Sequence, residues 1–234
     1  MTDTPISVTI TAVLTGRAAP LAPTQHLSGI AKQMRDGAVA VTPTGLAGDE
    51  QGDPRHHGGP EKAIHHYPFD HYAAWARDID PPPALLAQPG AFGENVSTSS
   101  LTERDVCLGD VFRLGSALVQ VSQGRQPCWK LNHRFGRASM AREVQSAGRT
   151  GWYYRVLEPG RVASGDALTL MERPCAEWPL GRVLDLLYRD TLNRAALQAL
   201  AMLPHCPPAW RPLIERRLAT GHVEDWSKRL AGQA

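Results

Sequence analysis

Glycine turns set between short apolar runs constrain the fold of this chain more than any other feature of its sequence. Val106 to Leu108, Val111 to Leu114 and Leu118 to Val121 are short strand candidates, and Gly109-Asp110 and Gly115-Ser116 separate them as hairpin turns do. Val8 to Leu14 alternates apolar residues with polar or small ones, the period of a half-buried strand. Val39 to Val41 runs into Pro43 and the turn-rich Gly45 to Asp49. Gly151 to Leu157 and Ala167 to Met171 continue the pattern after Gly148 and Gly165-Asp166. Many short strands joined by glycine turns predict a mainly β barrel or sandwich. Two helices interrupt it. One starts near Pro68 and carries Phe69, Tyr72, Ala73, Ala76 and Ile79 on one face until Pro81-Pro82-Pro83 stops it; the other runs from Ser139 to Ser146.

After Arg173 the apolar period becomes helical. Leu180, Val183, Leu184 and Leu187 form one stripe, Ala196, Leu197, Leu200, Ala201 and Leu203 a second, and Trp210, Leu213, Ile214 and Leu218 a third. Helices this short are marginal alone and must pack together and against the β region. The expected division is a β-barrel domain over residues 1–172 and a small three-helix domain over 173–234. A chain of 234 residues, 42 % hydrophobic and 21 % charged, can bury a core without disulfides or a structural metal. A formal charge of +2 argues for neither a nucleic-acid nor a membrane partner. Neither a signal core nor a run near the eighteen or so apolar residues of a membrane span is visible. The four cysteines lie apart, with no CxxC pair. A cytoplasmic protein with free thiols is expected.

Three segments hold residues that could carry chemistry. Cys128 follows Arg125-Gln126-Pro127 just past the strand candidate Leu118 to Ser122, which places it at a strand end in a proline-stiffened segment. A thiol acts as nucleophile or metal ligand as the thiolate, which Arg125 and Lys130 would favour; the competing reading is a buried small hydrophobe beside Trp129. Between Gly48 and Lys62 lie Asp49, Asp53, Arg55, His56, His57, Gly58 and Gly59. Glycine N–H groups and the two cations suit a phosphate or polyanionic cofactor. The competing readings are a polar surface loop and a zinc site. The spacings of His56, His57, His65, His66 and His71 match neither HExxH nor a CxxC-type site, and adjacent histidines in a strand face opposite ways. Gly90 to Thr98 and Ser28 to Lys32 are weaker signals by themselves.

In their order these segments resemble the MOSC family, and within it the YiiM-type branch. The resemblance rests on Ser28-Gly29-Ile30-Ala31-Lys32, Gly45 to Asp53, His57-Gly58-Gly59 with Lys62-Ala63, Phe92-Gly93-Glu94-Asn95 and Gly109-Asp110. It continues through Arg125 to Lys130, Gly148 to Tyr153 and Arg155 to Gly160, and it covers essentially the whole chain. It implies a MOSC-type β-barrel with a few helices plus a small C-terminal three-helix domain. It also implies a molybdenum cofactor, molybdenum on a pterin dithiolene, with Cys128 as the protein ligand to the metal. Related MOSC enzymes, the mitochondrial amidoxime-reducing component among them, reduce N-hydroxylated compounds, and YiiM-type members are linked to detoxifying hydroxylaminopurine base analogues. That branch usually carries proline where this chain has Gly124. Soft thiolate donors suit such a metal. Lys32, Arg55, His57, Gly58, Gly59, Lys62, Asn95 and Arg125 are the expected cofactor-binding residues, Lys32 and Asn95 on the resemblance alone.

The expected reaction is two-electron reduction of an N–OH bond to the amine. His57 is the candidate for proton delivery, since histidine titrates near neutrality, with Asp49 and Asp53 orienting it or Lys62. No GxGxxG fingerprint is present, so a separate redox protein is the expected electron donor. The three-helix tail is a docking or homodimer surface, or more simply a cover packed over the barrel. The alternatives are a sulfur carrier holding a persulfide on Cys128 and a binding module for a phosphorylated metabolite.

Overall fold

The computed structural model describes residues 6–53 and 57–232. Seven strands form the main sheet: β1 Ser7–Thr15, β2 Ile64–His66, β3 Val96–Thr98, β4 Val111–Leu114, β5 Ala117–Gly124, β6 Trp152–Glu158 and β7 Ala167–Glu172. Their order is β7-β4-β5-β6-β2-β3-β1, and β1 pairs back onto β7 through Ser7 and Thr169, which closes a barrel. All neighbours are antiparallel except β2 and β3, which meet in parallel at His66 and Val96. Closure removes both sheet edges. The β4–β5 hairpin turns at Gly115-Ser116, as its glycine signal implies, with Leu114 opposite Ala117. Val106 to Leu108 is a correction: it forms no strand, and Cys107 makes an isolated bridge to Pro179. Its backbone is spent on turns, with Leu108 N donating to Trp178 O and Cys107 N to the Asp110 carboxylate.

Helix α1, Asp70–Asp78, buries Tyr72 and Trp75, with Ile79 just beyond its end. Trp75 thus takes the inward place that the sequence reading gave to Ala73, which is exposed. Helix α2, Lys130–Phe135, was not expected; its signals are Leu131 and Phe135 at i, i+4 spacing and Gly136 in the left-handed conformation that ends it. Helix α3 spans Met140–Ala147. The C-terminal part supplies α4 Leu180–Tyr188, α5 Arg194–Met202 and α6 Arg211–Thr220, as the three stripes require. A short α7, Ser227–Ala231, follows.

One apolar cluster runs from the barrel interior (Ile10, Phe112, Val121, Leu168) into Leu180, Val183, Leu197, Trp210 and Ile214 of the C-terminal helices. The helices therefore cover the barrel with their apolar stripes. A second cluster joins Tyr72, Trp75 and Phe92 to Leu131, Phe135, Met140 and Val144 of α2 and α3, and to Leu230 of α7.

His66 shows how polar atoms enter the first core. It is wholly buried, its ring lies 4.3 Å from that of Trp152, and its nitrogens meet Tyr154 Oη at 3.1 Å and Thr98 Oγ1 at 2.9 Å. Burial pushes its pKa from 6.5 down to about 3. The unfolded chain thus takes up a proton here near pH 6.5 and the folded chain does not, so this group's stability contribution is complete above 6.5 and falls as pH drops toward 3. The expected loss is up to about 1.4 kcal/mol per pH unit. Urea unfolding of the wild type between pH 6.5 and 4 should show a slope to which His57 and His65 also contribute, and His66→Gln should reduce it by up to about 1.4 kcal/mol per pH unit.

Candidate functional site

The strand alternation of β2 sends His66 into the barrel and His65 the other way, into a cleft. The cleft opens to solvent, and Cys128 lines it together with His57, Lys62, Arg125 and Lys130. Lys32, Asp49, Phe92, Asn95 and Tyr153 complete much of the wall. Segments far apart in sequence are brought to one place by the β2, β3, β5 and β6 ends.

Close backbone contact builds one side. A Cβ on Gly29 would fall 2.0 Å from Glu50 O, and one on Gly52 would fall 2.1 Å from Leu27 O. The glycine in the Ser28 to Lys32 motif is thus required by the approach of the 50–52 loop. Behind this wall the Asp49 carboxylate accepts from Gly16 N at 2.9 Å, from Asn95 Nδ2 at 2.9 Å and from Lys32 Nζ in a short ion pair. Asn95 also accepts from His65 N at 3.0 Å and donates to Leu14 O at 3.2 Å. Asp49 therefore holds Lys32 and Asn95, not His57 or Lys62 as the sequence reading had it. The Phe92 to Asn95 turn is braced by Glu94, whose carboxylate accepts from Gly90 N at 2.7 Å, Phe92 N at 3.1 Å and Tyr72 Oη.

The other side carries the thiol. Strand β5 ends at Gly124, opposite Trp152 of β6. A Cβ on Gly124 would meet Leu184 Cδ2 at 3.0 Å, so this position is packed under α4 and the glycine does not leave the segment loose. Four residues on, Cys128 is 7 % exposed and its Sγ lies 3.9 Å from His57 Nε2. Arg125 bonds Tyr153, while its Nη1 is buried without a hydrogen-bond partner. Lys130 Nζ donates to Leu27 O at 3.1 Å and ties α2 to the opposite wall.

Lys62 comes from the turn Pro60–Lys62, which Gly59 (φ 92°) introduces. Glu61 pins that turn to the barrel: its carboxylate accepts from Arg155 Nε at 2.9 Å, and its carbonyl accepts from Ser122 Oγ at 2.6 Å. Gly58 and Gly59 shape this turn but do not line the cleft. Arg55 and His56 lie outside the described residues.

Electrostatics correct one expectation. Burial, then Lys130, Arg125 and Lys62, push the His57 pKa down to about 4, with Asp53 opposing. His57 is therefore a neutral imidazole at pH 7, and the titration near neutrality expected of a free histidine is absent. Burial also lowers the pKa of Lys62, partly offset by Cys128 and Asp53. Among the described residues no group of three or more His, Cys, Asp or Glu could hold a metal ion, so the zinc reading gains no support from them. His65 is enclosed in the wall, where burial holds its ring neutral. His71 pairs with Glu103 at 2.7 Å. His65 and Tyr153 are cleft residues that the sequence reading missed. The alternation of β2 could have marked His65; Tyr153 is set only by the pairing of β6 with β5.

A thiol on a barrel rim, within a ring of cations and below a glycine-built wall, defines the class. The chain matches the MOSC domain over residues 53–169 and the YiiM-like, 3-alpha helix domain over 178–221. This protein belongs to the MOSC family and carries the YiiM-like three-helix extension. It is 39 % identical over 206 residues to Protein YiiM of Escherichia coli (strain K12), covering 88 % of this chain and 91 % of that protein. The crystal structure of YiiM from Escherichia coli superposes with a TM-score of 0.81 at 33 % identity, covering 97 % of this chain and 99 % of that one. A protein of Gibberella moniliformis (strain M3125 / FGSC 7600) named as a reductase is 39 % identical over 178 residues, which are 76 % of this chain and 31 % of that longer protein.

The Asp49 hub leads to a test. Its side chain is 1 % exposed and that of Lys32 is 7 % exposed, so removing the carboxylate strands a buried cation. Asp49→Ala should cost about 3–5 kcal/mol by chemical denaturation, whereas Lys32→Met should cost clearly less, because the Asp49 carboxylate keeps its hydrogen bonds from Gly16 N and Asn95 Nδ2.

Proposed function

We propose that this protein is a molybdenum-cofactor-dependent reductase of N-hydroxylated compounds, with hydroxylaminopurine-type base analogues as a substrate class and detoxification as the purpose. The observation that carries this reading is that Cys128 lines the cleft together with His57, Lys62, Arg125 and Lys130, in a chain of the MOSC family. The reductase name of the Gibberella relative supports an oxidoreductase role.

The residues present fit the cofactor. A lone protein thiolate suits a soft metal whose other donors come from a bound dithiolene. The buried, unpartnered Nη1 of Arg125 offers a donor to an anionic or carbonyl group, and Lys62 adds charge next to it. Cys128 would hold the metal; Arg125 and Lys62, the latter presented by the turn that Gly59 introduces, would hold the phosphate and polar edge of the pterin. Lys32 and Asn95, tied to Asp49, would shape the wall against it. Bound molybdenum supplies the two-electron couple that no side chain here has.

The protein's own part is positioning and proton handling. Neutral His57 presents Nε2 to the cleft, where it can accept a proton or a hydrogen bond from the thiol or a bound hydroxylamine. An anion seated among Lys62, Arg125 and Lys130 offsets the cationic part of the depression and raises the His57 pKa, while burial, the larger cause, still holds it down. No dinucleotide fingerprint is present, so electrons come from a separate redox protein. Among the described residues no helix is long and apolar enough to cross a membrane.

Elemental analysis of protein produced in a molybdenum-replete host should find molybdenum near one per chain, and Cys128→Ser should lose most of it. The same preparation should reduce a hydroxylamine with an artificial donor, with Cys128→Ser at least about a hundredfold slower. Metal-free protein carrying a persulfide on Cys128 would favour the sulfur-carrier alternative.

A further inference from the structure

Beyond the three-helix unit, the chain crosses from the barrel's core to the core beside the cleft. Arg217 of α6, 2 % exposed, starts the crossing: it donates to Leu187 O at 3.0 Å and to both Glu224 oxygens at 2.7 and 3.0 Å. Glu224 also accepts from Trp226 Nε1 at 2.7 Å, and the Trp226 indole meets Tyr188 edge to face. This anchored corner delivers α7 onto the Cys128 segment.

There one residue brackets the thiol. Arg229 Nη1 donates to Pro127 O at 2.5 Å, and Arg229 O accepts from Trp129 N at 2.8 Å. These atoms belong to the two peptide groups that flank Cys128. The guanidinium is itself held, since Nη2 donates to Gln145 Oε1 at 2.6 Å. Asn132 Nδ2 donates to Leu230 O at 2.8 Å, and Leu230 is buried among Leu131, Phe135 and Val144. Gly232 lies flush on Trp129, where a Cβ would fall 2.7 Å from Cγ.

We propose that Arg229 is a positioning residue for Cys128, holding both flanking peptides and thereby fixing where Sγ stands in the cleft. The C-terminal extension then works at the site through its last helix. The guanidinium bond to Pro127 O depends on the arginine side chain, whereas the bond from Trp129 N to Arg229 O is backbone, so losing the side chain releases the N-terminal flank of Cys128 while α7 and the barrel packing persist. The inference rests on Cys128 as the working thiol, but not on the metal.

The test labels metal-free, full-length protein with iodoacetamide and follows each cysteine by mass spectrometry. In Arg229→Ala, Cys128 should react roughly tenfold faster or more, the size expected for losing a charge-assisted hydrogen bond. Cys107, Cys175 and Cys206, all buried elsewhere, should keep their rates. Arg229→Lys, which can still reach Pro127 O, should restore most of the wild-type rate. Should Arg229→Ala fail to fold, Arg229→Gln keeps much of the stem and carries the same expectation as the alanine variant. An unchanged Cys128 rate, or a rise shared equally with Cys206, overturns the proposal, because the second pattern is global opening. Molybdenum content is measured separately: wild type without metal but with Cys128 reactivity set by Arg229 removes the cofactor reading and leaves this one standing.

Discussion

The buried carboxylate of Asp49 accepts hydrogen bonds from the Gly16 amide, the Lys32 ammonium and the Asn95 side chain, and so joins to its own loop three segments that lie 17 to 46 residues from it in sequence. Asn95 passes the connection on to the backbones of His65 and Leu14. The cleft wall is therefore one polar network resting on the β1–β3 side of the barrel. Such a network is costly to leave half-made, because each member would strand a partner in a low-dielectric site. That cost is what holds the wall in one arrangement opposite the thiol.

The thiol itself stands between two apolar cores. Gly124 lies against Leu184 and Trp210 in the barrel's core, whereas Leu131 and Phe135, just beyond Cys128, belong to the core beside the cleft. Cys128 occupies the short stretch that joins them. Its surroundings are cationic from three directions, Lys62 from the 3-10 turn, Arg125 from the end of β5 and Lys130 from the start of α2. Burial first, and then the same charges, keep His57 neutral. A site built this way favours an anionic occupant, whose charge would raise the pKa of the imidazole beside the sulfur against the larger effect of burial.

Much of the barrel was legible because strand alternation and glycine turns are local signals. The Gly115-Ser116 hairpin and the three C-terminal stripes appear where their spacing puts them. Val106 to Leu108 was misread because a short apolar run can equally be a buried turn, and here the Asp110 carboxylate claims its amide. Helix α2 was missed because its apolar face is only Leu131 and Phe135. Of the expected site residues, Lys32, His57, Lys62, Asn95, Arg125 and Cys128 converge on one cleft, while Gly58 and Gly59 act by shaping the Lys62 turn.

By itself the sequence determined the class of fold and the family and marked Cys128 as the candidate thiol, since these reside in periodicity and in motifs read along the chain. Only the tertiary structure decided that Asp49 serves Lys32 and Asn95, that His57 is neutral, and that α7 reaches the peptides around Cys128. Hydrogen-bond partners and burial depend on which distant segments meet, and burial sets the protonation of a histidine more strongly than its neighbours in sequence do.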